Sequence, residues 1–204
     1  WNRLLDGLGE RFEICHVYFK PYPCCRHYHA VMDGIRLLRE EHGIKPQDVA
    51  AMRLGIYAVG VHGHDHKHCD SLLDAQMSAP VGAALALVDG DIGAHLFRPE
   101  SLRRPEVQRL VKLADAYVDD ECERIYPGRR SGSVEIALND GRRVTTRVLD
   151  PKGESENPLS DADLERKFSV NCEPVIGTER CRALLEAIWQ FDRADGIANL
   201  LRWL

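Results

Sequence analysis

The 204-residue sequence has no apolar run approaching the roughly 20 residues that span a bilayer, and Trp1-Asn2-Arg3-Leu4-Leu5-Asp6 does not form a signal peptide. A cytoplasmic protein with no membrane contact is the expectation. Basic excess is missing too: the formal net charge is -5, and Arg103-Arg104 and Arg129-Arg130 are short clusters rather than a basic face. Nucleic-acid binding, which needs such a face, is therefore not expected. P-loop, dinucleotide and H-E-x-x-H fingerprints are absent. Seven cysteines, an odd number without framework spacing, fit reduced thiols better than a disulfide scaffold.

Acid is lacking in one interval. Asp and Glu outnumber Lys and Arg by 32 to 27 in the whole chain, yet none lies between Glu13 and Asp33. That interval holds Lys20-Pro21-Tyr22-Pro23-Cys24-Cys25-Arg26-His27-Tyr28-His29, with four potential cations in ten residues. The two prolines forbid ordinary helix before Cys24 and hold Lys20 and Tyr22 in an extended approach. The local positive charge suggests an anionic ligand.

Hydrophobic content of 44% is ordinary for a packed core. Residues 1–9 read as the end of a short helix, and Phe12–Phe19 as an extended lead to the proline segment. Ala30, Val31, Gly34, Ile35 and Leu38 recur at helical spacing, predicting an amphipathic helix from Arg26 to a stop near Gly43. Period-two alternation predicts a strand over Met52–Val59, and a helix follows at roughly Ala75–Val88. After a helix begun at Pro105 come three β-type runs, Ala116–Cys122, Ser133–Leu138 and Arg143–Leu149. Asn139-Asp140-Gly141-Arg142 reads as the hairpin turn between the last two. Ser160 and Asp163 have the spacing of a helix cap. Leu184, Leu185, Ile188, Trp189, Phe191, Ile197, Leu200, Leu201, Trp203 and Leu204 put more apolar surface in the final helices than a tail needs. The reading is an α+β fold: an antiparallel sheet with flanking helices over 16–155, a helical lead-in over 1–15, and helices over 156–204 that want a partner surface.

A helix begun near Cys24 would put Cys25 and His29 on one face, with Arg26 beside them, and its unpaired N–H groups would favour a carboxylate. A polycarboxylate would match. Crowding by other cations and partial desolvation favour the neutral amine of a lysine, so Lys20 would take a proton from a carbon next to a carboxylate and His29 would handle the second proton. Against this stands the reading in which Lys20 and Arg26 are solvated and His29 is a hydrogen-bonded helix residue. Cys25 as a covalent nucleophile lacks a local signature for an orienting acid or an oxyanion hole. If extended, His62, His64, His66 and His68 would share one face, an arrangement suited to a transition metal. No H-x-x-x-H or C-x-x-C spacing supports that site, and a substrate-lining or solvated loop competes with it.

Three motifs together carry a family resemblance. Lys20-Pro21-Tyr22-Pro23-Cys24-Cys25-Arg26 followed by His29 resembles the KPYP-x-CR-x-x-H segment of the MmgE/PrpD (2-methylcitrate dehydratase) family. Ala75-Gln76-Met77-Ser78 is similar to its A-Q-x-S segment, and Lys152-Gly153-Glu154-Ser155-Glu156-Asn157-Pro158 ahead of Lys167-Phe168 to its K-G-x-x-x-N-P loop. The chain departs at Met77, Ala79 and Pro80, where the family often has a bulkier or aromatic residue. The resemblance implies a two-domain protein with a large all-helical domain and a smaller α+β lid, of which this chain resembles the lid plus the final helices. It implies a cofactor-independent, metal-free lyase or isomerase, such as a hydro-lyase, that moves a proton next to a carboxylate of a small polycarboxylate. Lys20 and His29 would be catalytic, and Cys25, Arg26, Gln76 and Ser78 would bind substrate. The helical domain would supply further acid and histidine groups, and the assembly would be a homodimer. The competing expectation is a noncatalytic lid or assembly module that binds a helical partner or a second copy of itself.

Overall fold

The computed structural model describes residues 5–90, 93–193, 196–201 and 203. The expectations that fall on residues 1–4 and on Leu204 lie outside the described residues, as does the side chain of Leu200. Residues 5–10 are turn-like rather than helical, and Glu13–His16 forms an exposed 3-10 turn where an extended run was expected.

The fold is α+β, with a four-stranded mixed sheet and flanking helices. Strands β1 (Val49–Ile56), β2 (Ala114–Val118), β3 (Gly132–Leu138) and β4 (Arg143–Val148) lie in the order β2-β1-β3-β4. The β3–β4 hairpin turns at the expected place, with Gly141 at φ +90 and the Gly141 amide donating to the Leu138 carbonyl at 3.0 Å. Pairing is antiparallel for β1–β3 and β3–β4 but parallel for β1–β2. The expected all-antiparallel sheet is corrected there: a series of helices joins Ile56 to Ala114, and such a crossover returns a strand in the same direction.

Those helices include α2 (Ala58–Val61), α3 (Leu72–Met77), α4 (Ala79–Asp89), α5 (Pro99–Leu102) and α6 (Pro105–Leu113). The single helix expected over Ala75–Val88 is two, because Ser78 leaves helical geometry (φ -99, ψ 115) and caps α4 by accepting from the Val81 amide at 3.3 Å. The first of the three β-type runs, Ala116–Cys122, is also corrected. Extended backbone ends at Val118, and Asp119 caps a helix, α7 (Asp120–Ile125).

Helix α1 (His29–His42) stops at Gly43 in left-handed geometry (φ 62), as the sequence predicts. Its buried face, Val31, Met32, Ile35 and Leu38, packs with Val134 and Ile136 of β3, Met52 and Leu54 of β1, and Leu85 and Leu87 of α4 into one core. Alternation along β3 buries Gly132, Val134, Ile136 and Leu138 and turns the residues between them toward the other face. Each large aliphatic side chain so buried stabilises the fold by about 1.5–3 kcal/mol. Helices α8 (Asp161–Ile176) and α9 (Thr178–Trp189) follow, the first capped by Ser160 with Asp163 as expected. No described helix is long and apolar enough to cross a membrane.

Candidate functional site

The α-helix starts at His29, five residues later than the expected Cys24. Cys25 is extended (φ -62, ψ 132) and Arg26–Tyr28 is a 3-10 turn. Exposure therefore alternates: Tyr22, Cys24, Arg26 and Tyr28 point inward, while Pro21, Pro23, Cys25 and His27 stay half-buried on the outside. Cys25 and His29 do not share a helix face; Cys25 shares its side of the chain with His27.

The inward groups are tied to distant segments. Arg26 is 5% exposed, and its guanidinium pairs with Glu154 at 2.8 Å and donates to the Lys152 carbonyl at 3.1 Å and to His29 Nδ1 at 2.8 Å. It also lies 4.7 Å above the Tyr18 ring. Tyr22 donates its hydroxyl to Asp33 Oδ1 and accepts from Arg36 at 3.0 Å, and Asp33 Oδ2 accepts from the Lys152 amide at 2.7 Å. The second motif closes the other side. Gln76 Nε2 donates to the Pro23 carbonyl at 2.7 Å, while the Gln76 carbonyl accepts from the Cys25 amide at 2.9 Å and the Tyr28 hydroxyl at 2.6 Å. Three motifs separated in sequence thus meet on ten residues.

Each sequence-predicted site residue has a definite place in this arrangement. Lys20 is exposed, with Nζ 3.3 Å from the Cys24 carbonyl. His29 is fully buried. A guanidinium can only donate, so His29 Nδ1 accepts from Arg26 and Nε2 carries the proton toward the Cys24 carbonyl at 3.4 Å. Burial first, and then Arg26, hold its pKa well below the ordinary imidazole range. Ser78 is fully buried and donates to the His66 carbonyl at 2.6 Å in addition to capping α4. Cys25 is half-buried, whereas Cys24 packs its sulfur 3.4 Å from Met32 Sδ and burial pushes its thiol up to about 12.

The histidine run is not a single face. His62 caps α2 at its C-terminal end and is exposed, His64 turns inward, His66 bonds the Asp74 carbonyl at 3.0 Å and His68 pairs with Asp70 at 3.0 Å. Among the described residues no group of three His, Cys, Asp or Glu side chains is placed to hold a metal.

Sequence reasoning missed three features. His27 Nδ1 lies 2.7 Å from the Tyr57 hydroxyl, and its ring stands edge-on to Tyr57 and His64, each at 5.5 Å. The second is an acid anchored under the far end of the sheet: Asp119 accepts from both Arg147 amino groups at 2.9 and 3.0 Å and from Ser133 at 2.7 Å. Burial would raise that carboxyl, but Arg147, the Cys122 amide and Ser133 hold it well below the usual range. Third, a cavity of about 600 Å3 borders Lys20, with Arg36, Lys152, Asn157, Lys167 and Asn171 among its polar walls. No local spacing in the sequence singles these groups out, because each is assembled from residues far apart in the chain.

A small α+β domain that braces a proline-stiffened cationic segment with two other segments distant in sequence is the kind of unit this geometry defines, one that presents Lys20 at its surface. The family model for the MmgE/PrpD C-terminal domain matches residues 22–192, and the chain belongs to that family. It is similar to the cis-aconitate decarboxylase of Mus musculus, 24% identical over 193 residues that make up 92% of this chain and 39% of the relative. Similarity to the cis-aconitate decarboxylase of Homo sapiens is 25% over 183 residues, 84% of this chain and 36% of the relative. The chain therefore spans under two fifths of the length of these relatives.

Proposed function

We propose that this chain is the lid-side part of an MmgE/PrpD lyase or isomerase that acts on a small polycarboxylate by moving a proton next to a carboxylate. The observation that carries the reading is the meeting of the three motifs around Lys20–His29, which leaves Lys20, Cys25 and His27 facing outward while Arg26 and Gln76 are spent on holding the segment. Lys20 is the proton-transfer base or the electrostatic stabiliser of the carboxylate. Cys25 contacts substrate; Arg26, His29, Gln76 and Ser78 act on the site by fixing its shape. The relatives are cis-aconitate decarboxylases by name, so cis-aconitate is the first substrate to try and 2-methylcitrate the second.

The test is turnover of both compounds by the whole protein that contains this chain, with and without Lys20→Ala. A loss of 100-fold or more in kcat is expected; unchanged kinetics on the true substrate would sink the assignment.

A second reading rests on exposed apolar side chains. Phe12, Ile14, Val17 and Phe19 before the site, and Trp189, Phe191, Ile197 and Leu201 at the end, are all exposed. In that reading the chain is a noncatalytic lid or assembly module for a helical partner or a second copy. Mixing it with the helical part and measuring restored turnover separates the two, since a self-sufficient enzyme needs no complement.

A further inference from the structure

Proton transfer next to a carboxylate needs an imidazole or amine that substrate can touch and that has a free lone pair. His29 has neither property here, being fully buried with Nδ1 accepting from Arg26 and Nε2 bearing the proton. His27, two residues earlier, differs in both respects. It is half-buried on the outward side of the segment, with only Nδ1 engaged, by Tyr57, and Nε2 has no protein partner among the described residues.

The ring is held on several sides. Tyr57 is fully buried and stacks on Tyr126, with centroids 4.1 Å apart and planes 18° apart, so its hydroxyl is a fixed point for Nδ1. Burial raises the phenol pKa, so Tyr57 stays protonated at neutral pH and serves as a hydrogen-bonding group rather than a charge. His64, in the loop after α2, sets the other edge of the ring at 5.5 Å. Lys20 on the same segment and Arg130 before β3 are the cations close enough to act on His27. Burial first, and then His64, Arg130 and Lys20, lower the His27 pKa, which keeps the ring neutral at pH 7.

We infer that His27, oriented by Tyr57, is the imidazole that exchanges a proton with the substrate, and that Lys20 beside it stabilises the charge that develops on the substrate carboxylate. This rests on the polycarboxylate reading above and narrows it, since it assigns Lys20 the electrostatic one of its two roles. In the reacting tautomer Nδ1–H donates to the Tyr57 oxygen and Nε2 presents its lone pair. The C–H bond next to a carboxylate breaks, its electron pair stays on carbon and spreads into that carboxylate, and the proton bonds to Nε2. The imidazolium then returns that proton, to a leaving hydroxyl in a dehydration or to carbon in an epimerisation; in a decarboxylation the imidazolium, charged by a proton from water, protonates carbon as the C–C bond to the departing carboxylate breaks and CO2 leaves. Tyr57 is a positioning residue, since it acts through His27.

The whole protein, assayed with cis-aconitate and 2-methylcitrate, tests this with His27→Gln, Tyr57→Phe and His27→Gly. His27→Gln should lower kcat at least 100-fold with KM within threefold, and added imidazole should restore part of the turnover of His27→Gly. Tyr57→Phe should lower kcat about tenfold and move the acid limb of the pH profile to lower pH, because the imidazolium loses its Nδ1 acceptor. A His27→Gln enzyme within threefold of the parent overturns the inference while leaving the polycarboxylate reading intact. A parent protein inactive on every polycarboxylate overturns both. If His27→Gln fails to fold, histidine NMR on the parent decides: the His27 titration must coincide with the acid limb of kcat/KM, and a mismatch overturns the assignment.

Discussion

Arg26 and Glu154 form a buried ion pair, with 2.8 Å between nitrogen and oxygen and side chains only 5% and 13% exposed. The pair joins the proline segment to the loop after β4 and explains why a cation and an acid so far apart in the chain belong to one site. Removing one partner of a buried pair leaves an uncompensated charge, which costs about 3 kcal/mol. Glu154→Gln should therefore lower stability by about that amount in urea unfolding, with Arg26 left to the Lys152 and Pro151 carbonyls. A loss below 1 kcal/mol would show that the pair is not what fixes the loop.

Gly153 meets the same segment by backbone. Its carbonyl accepts from the Phe19 amide at 2.9 Å, its φ is +94, and a Cβ there would lie 2.0 Å from the Phe19 carbonyl oxygen. Both the left-handed backbone and the clash oppose any side chain. Gly153→Ala should cost about 2–3 kcal/mol and loosen Lys20, raising hydrogen exchange at the Phe19 amide. Slow exchange at wild-type rate would contradict the contact.

Asp119→Asn removes the charge that Arg147 grips at two oxygens and weakens the cap of α7. Arg147 is about one third exposed, so the loss is smaller than for a fully buried pair, about 2 kcal/mol. Because Asp119 is depressed when folded, its contribution is present above the ordinary carboxylate range and disappears as pH falls through and below it. The stability gap between parent and Asp119→Asn should thus hold above about pH 5 and narrow steadily as pH falls below about 4, which calorimetry would measure.

Histidine sets a second pH dependence. The folded pKa of His29 is well below 6.5, with burial the main cause, and those of His27 and His64 are also lowered. Below about pH 6.5 the unfolded chain binds more protons than the folded one, so this stability is complete above that pH and is lost as pH drops toward the folded values. Each histidine contributes at most about 1.4 kcal/mol per pH unit. Asp33, raised by burial, works with the opposite sign. The comparison is therefore between variants: the change in urea midpoint between pH 7.5 and 5.5 should be smaller in His29→Gln than in the parent, and an equal change would refute a buried neutral His29.

Part of this was legible in sequence because it depends on neighbours along the chain. The helix ending at Gly43, the hairpin at Asn139–Arg142 and the Ser160 cap follow from local spacing and from glycine's tolerance of positive φ. The ten-residue segment stood out by its charge and prolines, and the three motifs carried the family. Sequence also showed that Lys20 and Arg26 were unusual, but not that they differ in kind, one exposed and the other sealed beneath Glu154. Tertiary structure decided that, because burial depends on which distant loop packs above. It also decided that the α-helix begins at His29, placing Cys25 with His27 rather than with His29, since Cys25 is held extended with its amide bonded to the Gln76 carbonyl. The parallel β1–β2 pair was likewise beyond local pattern: alternation tells which face a residue takes, whereas strand direction is set by the crossover between strands.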